Sequence, residues 1–145
     1  MRLWEWAIAS YQQEGAPEIC LSLQDEHGQC VCLLLWAIWG SPDEATLARG
    51  VEIARDWQSR VVGPLREARR NLRTPSPAVD DRAREELREE IMSAEMLAER
   101  VLMEALETLA PRASGDPYRS AETAARAWGA AAPAEALRRL TAAVA

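Results

Sequence analysis

At 145 residues the chain suits one domain, and folding at that length buries about 68–70% of the unfolded surface, enough for a core without disulfide or metal staples. Hydrophobic residues make up 48% and charged residues 28%, a balance that excludes a disordered chain. The net charge of −6 disfavours nonspecific adhesion to nucleic acid or anionic lipid.

Strand signals are nearly absent, and the chain reads as helices. Leu3–Gln13 is a first helix, with Leu3, Trp4, Ala7, Ile8 and Tyr11 at helical spacing and Gly15 as its stop. Pro17 opens a second helix that runs to His27, where Gly28 supplies a left-handed stop. The third helix, Gln29–Trp39, is apolar all round and belongs at the centre of a bundle. Ser41 or Asp43 caps a fourth, from Pro42 to Ala54, and another follows from Asp56 to Leu72. Pro64 lies inside that last one and is expected to kink it or reset its start.

Thr74-Pro75-Ser76-Pro77 is a stiff linker. A long helix from Ala78 to Leu109 follows, spanning roughly 45 Å. Its residues Ala83, Leu87, Ile91, Ala94, Ala98, Val101 and Ala105 trace a near-heptad seam. It braces the domain or protrudes to pair with a partner. After a loop, Asp116-Pro117 caps a helix ending at Trp128-Gly129, and Pro133 starts a short last helix. This Ala-rich tail is expected to fray.

The start, Met1-Arg2-Leu3-Trp4-Glu5-Trp6, lacks the uninterrupted apolar stretch of an export leader. The longest apolar run, Val31–Trp39, is too short for a membrane span of about 20 residues. A cytoplasmic protein is expected. The odd number of cysteines, Cys20, Cys30 and Cys32, with no CxxC pair, predicts reduced, buried thiols.

No set of residues announces a catalyst. His27 is the one histidine, so a Ser–His or Cys–His pair would have to use it, and Gly28 separates it from Cys30. A diiron bundle wants Glu-x-x-His twice, and the chain offers only Gln24-x-x-His27. Zinc lacks a ligand set, because Cys30 and Cys32 point to different sides of a helix. Accordingly no catalytic residue, metal or cofactor is expected. Asp80-Asp81 lacks the second aspartate-rich segment of an isoprenoid synthase.

On a straight helix Arg55, Arg66, Arg69, Arg70 and Arg73 project within about 60° of one direction. That face suits phosphate or RNA, although an acidic neighbouring helix is the expected partner. Glu95 and Glu99 sit one turn apart beside the Ala94/Ala98 seam. If covered they need partners, for which His27, Arg60 and Arg66 are the candidates.

Three blocks carry a resemblance. They are Leu3-Trp4-Glu5-Trp6-Ala7 with Tyr11, then Cys20–Gly28 running on through Val31 and Leu33–Trp36. Trp57 with Val61–Arg66 and Arg69 is the second, and Ala94-Glu95 with Ala98-Glu99-Arg100 the third. Over residues 3–109 they resemble an uncharacterised proteobacterial family of small helical proteins with an LQDxxGxxVxLLLW-type motif. Cys30 and Cys32 depart from the polar residues usual there, which speaks against thiol chemistry. The resemblance implies a bacterial cytoplasmic protein. It suggests that Gln24–His27, Arg66/Arg69 and Glu95/Glu99 converge, and it brings no activity with it.

The expectation is an all-α single-domain bundle of six to eight helices over residues 1–145. N-terminal helices fill 1–73, the Pro-rich linker 74–77, the long helix 78–110 and the Ala-rich helices 111–145. Function is expected to be that of a non-enzymatic protein-interaction module, self-associating or binding another protein. One alternative is a small-ligand binder or enzyme with a polar cleft of Gln24, Asp25, Glu26, His27, Arg66, Arg69, Glu95 and Glu99. The other is nucleic-acid binding through the Arg66–Arg73 face, which the net charge disfavours. Membrane association is not expected.

Overall fold

A computed structural model describes residues 1–129 and 131–144. Among them there is no strand, and the chain is an all-α, multi-helix single domain. No described helix is long and apolar enough to cross a membrane.

The centre is α3 (Val31–Gly40), in which every residue from Cys32 to Gly40 is buried. An all-apolar run can satisfy its backbone as a helix and must then be covered on every side. Each fully buried Leu contributes about 1.5–3 kcal/mol relative to exposure, and Leu33, Leu34 and Leu35 all lie inside. Trp36 is fully buried too and donates from Nε1 to the Ala110 carbonyl at 3.4 Å.

Before the centre come α1 (Leu3–Tyr11) and α2 (Ala16–Asp25). The left-handed Gly15 starts α2 and Pro17 sits in its first turn. α2 ends at Asp25, two residues short of expectation, so His27 lies in the turn outside the helix. Gly28 takes φ +62° and lets the Gln29 amide return to the Leu23 carbonyl at 2.9 Å.

Asp43, not Ser41, caps α4 (Glu44–Trp57), accepting from the Thr46 amide at 2.8 Å. A Cβ added at Gly50 would run into the Trp36 ring, so glycine sets how closely α4 approaches α3. The expected break near Arg55 is absent. α4 runs without interruption into a π-helical turn (Gln58–Val62) and then α5 (Gly63–Asn71). Pro64 has no amide to donate, and the wide turn ahead of it absorbs the defect without a stop. The Gly63 amide bonds to the Gln58 carbonyl, whose oxygen would lie 2.8 Å from any Cβ at Gly63.

Residues 72–80 make the connection to α6 (Asp81–Leu109), capped by Asp80 through the Ala83 amide at 2.9 Å. Arg84, itself buried, donates from Nη1 to the Leu72 carbonyl and closes the α5–α6 hairpin. The buried side of α6 is Arg84, Glu95, Ala98, Leu102, Met103 and Leu106. The heptad seam is therefore split. Ala98 faces the core, whereas Leu87, Ala94, Val101 and Ala105 lie exposed with Leu97 beside them.

Asp116 caps α7 (Pro117–Trp128) and the left-handed Gly129 ends it. α8 (Ala134–Val144) follows. The tail is part of the core, contrary to the fraying expected of it. α7 packs on α3, and Ala121, Ala124 and Ala125 are buried. Their small side chains allow close approach, so alanine here is a packing residue. α8 buries Leu137, Leu140 and Val144.

Candidate functional site

The candidate site starts from the π-helical turn. A straight α-helix would align Arg55 with Arg66 and Arg69. The extra residue in a π-turn slips that phase by up to about 100°. Arg55 consequently turns to α7, where Nη2 donates to the Trp128 carbonyl and the guanidinium lies 4.8 Å from the Trp128 ring centroid. Arg66 and Arg69 turn to α6. The stripe is thus divided: Arg55 goes to α7, Arg66 and Arg69 to α6, and Arg70 to Asp25 of α2.

On α6 the two arginines meet the carboxylates one turn apart. Arg69 Nε lies 2.7 Å from Glu95 Oε2 and Arg66 Nε 3.0 Å from Glu95 Oε1. Arg66 Nη2 reaches Glu99 Oε1 at 3.4 Å. The side chains of Glu95, Arg66 and Arg69 are only 11%, 12% and 18% exposed, so these are interior charges held by mutual pairing. Burial alone would raise the Glu95 carboxyl, but the hydrogen bonds from Arg69 and Arg66 outweigh it and hold it below its usual value. Glu99 goes the other way. Burial raises its carboxyl, the nearby Glu95 adds to the effect, and Arg66 offsets only part of it.

The partners expected for the glutamates were one-third right. Arg66 takes that role. Arg60 instead pairs with Asp56 at 2.7 Å on the surface, and His27 joins none of these contacts. Arg69, not among the candidates, makes the shortest bond of the cluster.

Gln24 and Asp25 reach the neighbourhood, whereas Glu26 does not. Asp25 Oδ1 lies 3.5 Å from Arg70 Nη2 at the surface. Glu26 accepts from its own helix's Ser22 Oγ at 3.1 Å. Gln24 lines a cavity of about 400 Å³ between α1, α3 and α6, and Glu99 lines it as well. A second void of about 10 Å³, room for one water at most, touches Arg66, Gln58 and Val62 on the π-turn side. Gln24, Val31, Cys32 and Glu99 border both spaces and form the wall between them.

The rest of the large cavity is mainly apolar. α1 contributes Trp4, Ala7, Ile8 and Tyr11, with Gln12 just past its end, α3 contributes Val31, Cys32 and Leu35, and α6 adds Met96 and Met103. Ile8, Tyr11 and Met96 are exposed to solvent, at 46%, 42% and 61%, and mark the mouth. Burial pushes the Tyr11 phenol up to about 12, with Cys20 and Glu99 adding to it. Burial likewise pushes the thiols up, Cys20 to about 12 and Cys30 to about 11, so these cysteines stay protonated and poor nucleophiles.

Sequence reasoning missed the aromatic and methionine walls. Their signal was faint: Ile8, Tyr11 and Met96 fall at ordinary helical positions, and only the packing of α1 beside α6 shows that they rim a hollow. Among the described residues no group of three or more His, Cys, Asp or Glu side chains is placed to hold a metal ion.

The sequence pattern of a family described as "Protein of unknown function (DUF2390)" matches residues 2–106. No curated protein and no solved structure matches the chain.

Proposed function

The chain belongs to this family, whose description names no activity, and from that premise we propose that it is a small-ligand-binding protein. The observation that carries the reading is the cavity of about 400 Å³ with Glu99 and Gln24 in an otherwise mostly apolar wall. Ligand sites have this form: concave, largely apolar, with a few fixed polar groups, and about 300–1,000 Å³ in size. Glu99 is held from behind by Arg66, so its carboxyl stands in a set position before any ligand arrives. A fixed carboxylate and an amide in a mainly apolar wall are what a binding site offers, and the reading is of binding.

The test is native mass spectrometry of freshly purified protein, followed by a thermal-shift screen of small amphipathic compounds. A compound that raises the Tm of the native chain but not of Ile8→Trp, which fills the mouth, supports the reading. Bare protein and no compound that distinguishes the two chains refutes it.

A second reading is self-association through the outer face of α6. It is favoured by Leu87, Leu97 and Val101, exposed at 50%, 60% and 42%. Leu87, Ala94 and Val101 recur every seven residues, a spacing that a second copy of the same helix can match. Sedimentation of the native chain and of Leu97→Glu decides it: a dimer lost in the variant supports the reading, and a monomer at high concentration rejects it.

A further inference from the structure

Building on the cleft reading, we propose that the cavity selects an organic ammonium ion, with the charge against Glu99 and an alkyl or arylalkyl body between α1 and α6.

Among the described residues Glu99 is the one charged side chain lining the cavity. Its Oε1 is engaged by Arg66, whereas Oε2 accepts no hydrogen bond among the described residues. The Glu99 side chain keeps 32% exposure, and a carboxylate with one oxygen open beside an apolar wall gains a charge-assisted hydrogen bond from a cation. An anionic ligand finds no such welcome. Arg66 and Arg69 are the cations nearby, and both are already bonded to Glu95, Arg66 to Glu99 as well.

The walls suit the same ligand. Trp4 and Tyr11 line the cavity, and aromatic rings attract cations. Met96 and Met103 are polarizable and adapt to an alkyl chain of variable shape. The net charge of −6 favours the approach of a cation.

The charges that act on Glu99 are Arg66 and Arg69 from α5 and Glu95 from its own helix, and Glu99 in turn helps to raise Tyr11 on α1 and Cys30 and Cys32 around the start of α3. The phenol and the thiols are all pushed upward and stay neutral below pH 8, while Glu95 is held low. In the acid-to-neutral range the cavity's charge therefore follows Glu99. A bound cation keeps Glu99 ionised, so binding releases a proton wherever Glu99 is protonated beforehand.

Calorimetric titration with three probes of one length tests this: n-hexylammonium, hexan-1-ol and hexanoate. The expected order at about pH 8 is ammonium first and carboxylate last, with ammonium at least about tenfold tighter than the alcohol. Lowering the pH through the range in which Glu99 takes up its proton should weaken ammonium binding and leave the alcohol unchanged. Glu99→Gln keeps a partner for Arg66 and should erase the preference for ammonium while the alcohol still binds. Alcohol binding as tight as ammonium, or carboxylate binding tighter, overturns the cation assignment and leaves the cleft reading standing. No binding by any of the three, with Ile8→Trp indistinguishable from the native chain, overturns both.

Discussion

Replacing Glu95 with Ala strips two interior arginines of their shared partner at once. Arg66 keeps one contact to Glu99, at 3.4 Å, and Arg69 keeps none of its bonds to a carboxylate. Breaking a buried pair by removing one member costs about 3–5 kcal/mol, because the remaining charge is left uncompensated. The arginine side chains here retain 12% and 18% exposure and can recover some water, which places the expected loss near the lower end, about 3 kcal/mol. That corresponds to a Tm lower by roughly 6–12 °C and a urea midpoint lower by roughly 1–2 M. The assay is urea unfolding followed by circular dichroism, with the slope compared to confirm an unchanged transition. Asp56→Ala, which breaks the exposed Arg60–Asp56 pair, is the control and should barely move the midpoint. A loss under about 1 kcal/mol for Glu95→Ala, the value of a surface pair, would refute the view that these charges are interior and mutually dependent.

The opposite shifts of Glu95 and Glu99 give stability two slopes against pH. Glu99, raised in the folded chain, binds protons there before the unfolded chain does, so lowering pH through its folded value stabilises the fold. Glu95, depressed, contributes stability above the unfolded value that is lost as pH falls through its folded value. Unfolding free energies measured across that range should show the first slope vanish in Glu99→Gln and the second remain. Gly50→Ala forces a methyl into the Trp36 ring, and overpacking of this kind costs about 1–3 kcal/mol; a Tm equal to the native one would contradict the close α3–α4 approach. Cys20 and Cys30 are buried and free, away from the large cavity that Cys32 lines, so a thiol reagent should label neither until the protein is denatured, and rapid native labelling of either would show that the core opens.

Much of the fold was legible because its punctuation is local. Asp43 and Asp116 cap where a short acceptor precedes a helix, and Gly15, Gly28 and Gly129 take the positive φ that few other residues tolerate. The apolar run of α3 declared its own burial. What could not be read was phase. Projecting arginines on an ideal helix assumes no slippage, and the π-turn at Gln58–Val62 separates Arg55 from Arg66 and Arg69. The seam of α6 misled for a related reason. Its regular spacing shows that one side of the helix is apolar, but the core took the adjacent strip around Ala98, Leu102 and Leu106. Alanines in the tail looked like weak helix filler, and they became core because α3 offers a surface that only small side chains approach closely. The cluster itself was half visible: two glutamates one turn apart demand partners, but tertiary packing alone decides which arginine answers.

The seating of α7 on α3 has a consequence for synthesis. The apolar centre, Val31–Gly40, leaves the ribosome roughly 90 residues before Trp128 does. At about 5–20 residues per second that interval is roughly 4–18 s. Throughout it the nascent chain carries a short, very apolar helix without its last cover. α1 and α2 are then the shelter at hand, and a chaperone that holds exposed apolar segments has its opening in that window. Cells making the protein faster than such shelter is supplied should accumulate it in the insoluble fraction, even though the finished fold buries the segment from Cys32 to Gly40.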